Sequence, residues 1–347
     1  LQVVRDFFWT RRRSVNCRKS EIGANMAKTT VVIPNYNGIR YIEDCLDSLY
    51  AGTQKEIEVI VVDNASTDGS MELVRDKFPQ VRLILNEENT GFCKAVNQGI
   101  EASSTPYVIL LNNDTRVELA FVHELEKAIE KDQKIFSVSA KLISLYDKTK
   151  TDDAGDYYCA LGWAFARGKG KNPDLYRKEC DIFAACGGAV IYRREYFERV
   201  GLFDENHFAY LEDIDIGYRA LLCGYRNRFA PAAIVYHAGS ATTGSRYNAF
   251  KTKLAARNSI YLIYKNMPLF QVILNLPFLL TGFLIKTFFF IKKGLAKEYV
   301  CGLADGVRLS VSEQGKAQKV PFSADSLVKY IQIQCALWCN LLKLLQK

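Results

Sequence analysis

Histidine is scarce in this chain, three in 347 residues, and the ten cysteines fall at positions 17, 45, 93, 159, 180, 186, 223, 301, 335 and 339 without paired metal-ligand spacing. No zinc finger or ribbon can be written from them. Scattered singly, they read as small buried residues of a protein kept in a reducing compartment. Cys335 and Cys339 share a helix face and read as core or lipid-facing thiols. With 22 Gly, 8 Pro and no short repeat, collagen-like, low-complexity and solenoid architectures are excluded. The first 25 residues lack the apolar core of roughly 7 to 15 residues that a secretory signal requires. They hold Phe7-Phe8-Trp9 and Arg11-Arg12-Arg13 without helical or strand period; Met26 is read as the natural start, with a short basic surface anchor over 1–25 as the alternative.

What is present is an ample core: 49% of the residues are hydrophobic, enough for one large α/β domain with appendages or for two smaller domains. The net charge of +8 is unevenly spread. Residues 1–25 carry six Lys or Arg against two acids and residues 250–347 carry fourteen against four, which leaves the stretch between them at −6. The carboxyl-terminal positive charge is interleaved with apolar runs, a pattern of anionic membrane surfaces rather than of nucleic-acid modules. Leu269 to Ile291 is almost wholly apolar but interrupted by Asn275, Pro277, Gly282 and Lys286. A spanning helix needs about 20 apolar residues, so a kinked helix in the membrane interface, or a hairpin dipping into it, fits better than a full span. Leu327 to Lys347 is a second amphipathic basic segment. Packing of both segments on the globular domain, or on a second subunit in a homodimer, is the competing expectation.

From Thr29 onward, short apolar runs alternate with helical periods. Val31–Ile33, Ile57–Val62, Val81–Leu85 and Tyr107–Leu111 read as buried strands, with helices over Tyr41–Leu49, from Ser70, and over Phe92–Ala102. Unbroken apolar strands alternating with helices predict a mainly parallel sheet covered on both faces. In such sheets ligands gather at the carboxyl ends of the strands, and the polar clusters sit there. Residues 144–180 read as a long polar excursion, Ala184–Tyr192 as a returning strand, and Leu211–Cys223 as a helix headed by acids. Ala232–Val235 is a strand that delivers His237.

The segments VVIPNYNG (31–38), VVDNASTDGS (61–70), NTGFCKAVNQGI (89–100), LLNNDT (110–115), CGGAVIYRREYFERVGLFDENHFAYLEDIDIGYR (186–219) and HAGS (237–240) together resemble glycosyltransferase family 2, in particular its rhamnosyltransferase-like branch. The resemblance covers about residues 28–260 and implies a GT-A-like sheet flanked by helices. It divides the chain into a basic extension (1–25), a catalytic domain (26–260) and a helical membrane-associating tail (261–347).

The resemblance implies roles residue by residue. Pro34, Tyr36 and Asn37 shape a loop where Tyr36 lies against a base or ribose, and Asp63 accepts the N3–H of uracil or thymine. Loop building and capping by Asp63 and Asp68 is the plainer alternative. Asn89, Gly91, Lys94 and Asn97 close over the nucleotide. Asn112-Asn113-Asp114 stands where the family has an acidic Asp-X-Asp motif; with amides at the first two places, Asp114 is the ligand for Mg²⁺ or Mn²⁺, and Asn112 and Asn113 hydrogen-bond sugar hydroxyls. His237 completes the metal site and Ser240 adds a phosphate contact. Glu212-Asp213 matches the family's acidic pair, with Asp213 the general base and Glu212 its support; Asp215 stays unassigned. Gly187 and Gly188 let backbone pass close to the sugar, and Trp163, by its own chemistry, reads either as a platform for the acceptor sugar or as a core tryptophan.

The expected activity is inverting transfer of a hexose, rhamnose or a similar sugar, from a dTDP- or UDP-linked donor to a lipid-linked or surface-glycan acceptor. It would take place in the cytoplasm at the inner face of the membrane, without nucleic acid as partner. A UDP-hexose donor, or a non-catalytic nucleotide-sugar scaffold made conceivable by the Asn112-Asn113 pair, are the alternatives.

Overall fold

The computed structural model describes residues 27–54, 56–239 and 247–345; the expected extension 1–25 and Ser240 lie outside them. Twelve strands are found there: β1 Thr29–Asn35, β2 Ile57–Asp63, β3 Arg82–Leu85, β4 Tyr107–Leu111, β5 Thr115–Val117, β6 Ile135–Ser144, β7 Thr151–Asp153, β8 Asp156–Cys159, β9 Trp163–Ala166, β10 Cys180–Ile182, β11 Ala189–Arg193 and β12 Arg226–His237. The helices are α1 Ile42–Ala51, α2 Ser70–Lys77, α3 Gly91–Ala102, α4 Phe121–Ile129, α5 Phe197–Val200, α6 Glu212–Leu222, α7 Ala249–Asn266, α8 Leu269–Lys292, α9 Ala296–Val311, α10 Glu313–Ala317 and α11 Leu327–Leu345.

Ten strands form one sheet in the order β10-β12-β6-β11-β4-β1-β2-β3, with β5 on β12 and β7 on β6. β1, β2, β3 and β4 run parallel. β11 enters antiparallel between β4 and β6, and β12 pairs parallel with β6. The carboxyl ends of β1, β2, β4, β6 and β12 therefore share one edge, where the amino end of β11 also lies. The strands are apolar throughout because alternate residues serve two cores. Val32, Val108 and Leu110 pack with Val96 and Ile100 of α3, while Val31, Ile33, Ile109 and Leu111 pack with Ile42, Leu46 and Leu49 of α1.

Three expectations are refined. The strand expected over Ala184–Tyr192 begins only at Ala189 and is antiparallel, because an apolar run carries no direction. The strand before His237 spans twelve residues, with a register shift between Ala230 and Ile234 where Pro231 cannot donate to the ladder. The excursion 144–180 contains β7, β8, β9 and the start of β10.

The carboxyl-terminal helices lie on the sheet-bearing part of the chain. Gly302 and Gly306 of α9 seat that helix against α7: a Cβ at either would fall 2.3 Å from the Lys253 carbonyl or 2.5 Å from that of Arg257. Helix α8 turns a polar and small-residue stripe inward, namely Gln271, Asn275 and Gly282. Gln271 accepts from the Tyr218 hydroxyl at 2.5 Å, Asn275 and Gln334 of α11 exchange two bonds of 2.8 Å, and the Gly282 carbonyl accepts from Trp163 Nε1 at 3.2 Å. Docked over three turns, α8 runs alongside the domain with Pro277 inside it. Its other face exposes Leu269, Ile273, Leu280, Leu284, Phe288 and Ile291, making it a helix long and apolar enough to associate with a membrane.

Candidate active site

At the shared strand edge lies a cavity of about 670 Å³. β12 and the exit of β4 meet on one side of it: His237 pairs with Thr115, and the Ala238 N–H donates to the Asp114 carbonyl at 2.9 Å. This brings His237 Nε2 to 3.2 Å from Asp114 Oδ1, with Asp152 Oδ2 at 2.7 Å from Nδ1. Burial alone would lower the His237 pKa, but the flanking carboxylates outweigh it and push it up to about 9. Burial likewise opposes ionisation of Asp152, yet its bonds to His237 and Lys169 hold it well below the usual carboxylate range. One carboxylate and one imidazole, the latter oriented by a second carboxylate, make a fitting two-ligand set for a divalent cation whose remaining positions a diphosphate would fill.

The side of the cavity next to β1 and β2 is built by amides. Asn113 Nδ2 donates to Asn35 Oδ1 at 2.6 Å, and Asn35 Nδ2 donates to Asp63 Oδ1 at 2.9 Å, tying three strand ends together. Gly38 is required there, because a Cβ would fall 2.1 Å from Asn35 Oδ1. Asn64 Nδ2 donates to the Gly91 carbonyl at 3.1 Å. Gly91 itself has φ +85°, and a Cβ would meet the Phe208 ring at 2.5 Å.

The opposite wall is a strained segment. Phe208, Tyr210 and Leu211 all have positive φ, a conformation that costs bulky residues about 1–3 kcal/mol each. Helix α7 holds them: Asn258 Nδ2 donates to the carbonyls of His207, Ala209 and Tyr210 at 2.8–2.9 Å, and Arg257 Nη2 to those of Asn206 and His207. The strain delivers Glu212 and Asp213 at the start of α6 to the cavity. Asp213 Oδ1 accepts from the Ile214 N–H at 2.7 Å. Burial raises the Asp213 pKa, countered by that N–H and by a hydrogen bond from Asp156. Glu212 is pushed up to about 8 by burial and then by the charge of Asp213, and its Oε2 is buried without a partner among the described residues. Beneath them Asp153, Asp156 and Cys186 converge. Burial, followed by the neighbouring Asp153 and Asp213, raises Asp156 strongly, and burial holds the Cys186 thiol neutral. A thiol and protonated acids suit hard cations poorly; this is a proton-sharing acid cluster, with Asp156 donating to Asp213.

Residues 30–201 match the family model described as glycosyl transferase family 2. The chain belongs to glycosyltransferase family 2. An N-acetylglucosaminyl-diphospho-decaprenol L-rhamnosyltransferase of Mycobacterium tuberculosis is 26% identical over 239 residues, 62% of this chain and 77% of that protein. Among solved structures, a mannosyltransferase of Pyrobaculum calidifontis in complex with GDP-Man and Mn²⁺ aligns with a TM-score of 0.52 at 18% identity, covering 90% of this chain and 88% of that one. GalNAc-T7 with UDP, GalNAc and Mn²⁺ aligns with a TM-score of 0.57 at 18% identity, covering 70% of this chain and about half, 48%, of that one. Both likenesses agree with a GT-A fold.

Of the residues that the family 2 resemblance singled out, Pro34, Tyr36, Asn89, Gly91, Asn112, Asn113, Asp114, Gly187, Gly188, Glu212, Asp213 and His237 line the one cavity. Five do not. Asp63 is buried, its carboxylate engaged by Asn35, the Ser66 hydroxyl and the Ser66 N–H. Asn37 is exposed and caps the neighbouring loop through the Thr67 N–H. Lys94 faces solvent. Asn97 ties α3 to Phe203 with bonds of 2.8 and 3.0 Å. Trp163 lies against α8, its indole bonded to Gly282.

The sequence reading missed Asn35, Asn64, Phe92, Phe208, Tyr210 and Lys251 on the cavity wall, and Asp152 and Asp156 behind it. Asn35 and Asn64 stand beside residues that were chosen, so the strand-end rule had reached them. Asp152 and Asp156 come from the aperiodic excursion, where no pattern marks them.

Proposed function

We propose that this family 2 chain transfers a hexose, rhamnose or a sugar like it, with inversion, from a thymidine or uridine diphosphate sugar to a lipid-linked or surface-glycan acceptor. The observation that carries the reading is the meeting of Asp114, His237 and Asp213, from three separate parts of the chain, on one cavity wide enough for a sugar diphosphate. Tyr36, 40% exposed at the rim, offers its face to the base. Asp114 and His237 would hold Mg²⁺ or Mn²⁺, which when bound neutralises charge on the departing diphosphate. Asp152 keeps the His237 ring turned so that Nε2 faces that site.

Asp213 removes the proton of the acceptor hydroxyl as its oxygen attacks the anomeric carbon. A base with a raised pKa accepts that proton more readily near neutrality. Asp156 holds Asp213 by donating to it, and Glu212, protonated at neutral pH, donates toward an acceptor hydroxyl. The outward apolar face of α8 and the basic tail support peripheral attachment to the inner face of the cell membrane, and the decaprenyl-linked substrate in the name of the mycobacterial relative supports a lipid-borne acceptor.

A panel of nucleotide sugars with Mn²⁺, assayed for release of nucleoside diphosphate, tests the reading. Asp213→Asn is expected to lower turnover by about 10²–10⁴-fold while donor binding stays near normal. Absence of turnover with every donor, or full activity of Asp213→Asn, overturns it.

A further inference from the structure

A second cavity, of about 360 Å³, lies behind the catalytic acids and shares Tyr210, Glu212 and Asp213 with the first. Its remaining walls come from Asp156 of β8, from β9 (Ala164, Phe165, Ala166), from Leu211 and Ile214 beside the acids, from α7 (Ala255, Ser259) and from α8 through Lys286. The two cavities thus adjoin at Glu212 and Asp213. Single displacement needs the attacking hydroxyl within reach of both the base and the anomeric carbon, with the diphosphate leaving from the far side, and a space that adjoins the donor cavity at the base can present it there.

Lys286 is the one cation lining this second space. It stands on a helix whose neighbours Leu284, Ile285 and Phe288 are exposed and apolar, yet it points inward, with Nζ 5.5 Å from the centre of the Trp163 ring. Among the described residues it forms no ion pair with a carboxylate. An ammonium drawn in among apolar side chains, with a ring face but no carboxylate beside it, keeps a positive charge that an anion would balance. Moving inward from the surface, the chain offers an apolar helix face, then an ammonium, then the acid pair with the unpartnered Glu212 Oε2. A lipid-linked sugar has the same order: tail, anionic linker, hydroxyl-bearing sugar.

We propose that the second cavity is the acceptor subsite and that Lys286 recognises the diphosphate linker of a polyprenyl-borne acceptor whose tail lies along the outer face of α8. This rests on the transferase reading above and extends it to a residue and a chemical class of acceptor. Trp163 then serves as the platform that positions Lys286, not as a surface for the sugar.

Farnesyl diphosphate, farnesol and inorganic pyrophosphate serve as probes, titrated calorimetrically into the full chain in EDTA, which withholds the cation on which diphosphate retention at Asp114 and His237 depends. Farnesyl diphosphate is expected to bind at least about tenfold more tightly than either partial probe, one charge-assisted contact's worth. Lys286→Met should bring it down to the level of farnesol, and Lys286→Arg should restore most of the difference. If Lys286→Met proves misfolded by circular dichroism, Lys286→Gln is read in its place. Unchanged binding in the neutral variants, or no preference of the natural chain for farnesyl diphosphate over farnesol, overturns the proposal. Pyrophosphate binding as tightly as farnesyl diphosphate overturns the lipid source and leaves a soluble phosphate ligand. Nucleotide-sugar turnover by the natural chain is scored separately, so failure of the transferase reading is distinguishable from failure at Lys286.

Discussion

The ammonium of Lys265 sits 2.9 Å from Asp215 Oδ2, and both side chains are sealed from solvent. Lys265 also reaches Asp204 at 2.8 Å, while Arg219 and Asn266 complete the bonds of Asp215. Burial alone would raise the Asp215 pKa, but Arg219 and Lys265 hold it well below the usual range. The network pins α7 to α6, directly behind Asp213. The tail boundary expected at residue 260 falls within α7, whose last turn carries Lys265 and Asn266.

Lys265→Met leaves the buried Asp204 without a cation and Asp215 with Arg219 alone, and removing one partner of such a network costs about 3–5 kcal/mol. The urea midpoint should fall accordingly, with an unchanged slope.

Removing Asp114 should abolish the Mn²⁺-dependent part of nucleoside diphosphate binding while leaving the binding measured in EDTA intact. Asp152→Asn, which touches the site only through His237, should weaken Mn²⁺ affinity by about 10–100-fold. Titration calorimetry with uridine and thymidine diphosphates, with and without the cation, reads both. Equal Mn²⁺ dependence in Asp114→Ala would contradict the ligand assignment.

The acid cluster predicts how stability responds to pH. Glu212 is held up to about 8 and Asp153 to about 7, mainly by burial, so the folded chain keeps protons that the unfolded chain has lost. Their stabilising contribution is full below the ordinary carboxylate range and is lost as pH climbs through about 7 to 8. The melting temperature should therefore drop from about pH 5 to about pH 8 and level off above. Asp156→Asn, which preserves the donor to Asp213 but removes one titrating acid, should show a shallower drop by scanning calorimetry.

Replacing Leu280, Leu284 and Phe288 together with Glu removes three outward side chains, each worth about 1.5–3 kcal/mol when buried in an apolar phase. Flotation with vesicles containing anionic lipid should fall at least about tenfold, with circular dichroism unchanged. Undiminished flotation would place the contact elsewhere.

The residues that reasoning from sequence could find share one property: each stands at the polar end of an apolar strand or at the acidic head of a helix. Asp114, Glu212, Asp213 and His237 are of this kind, and the sheet gathers those ends by rule. The direction of β11 was hidden, since Val190 and Ile191 would be equally apolar in either sense. Asp152 was hidden because its partner His237 is 85 residues away and nothing local marks the pairing. Trp163 suits a sugar platform or a core equally well by its chemistry, and the partner that decides for packing, Gly282, lies 119 residues away. Lys286 was read as a blemish in an apolar run; only the fold shows which side of α8 it takes.

The grip of Asn258 and Arg257 on the twisted segment ahead of Glu212 has a practical corollary. Trimming the greasy end of the protein to make it easier to purify would need to stop well after residue 266, and even then α9 would have to stay to brace α7. A version cut shorter would keep the strand-end half of the pocket yet lose the backing that presents the acids, and on the transferase reading proposed above it would hold a nucleotide sugar without turning it over.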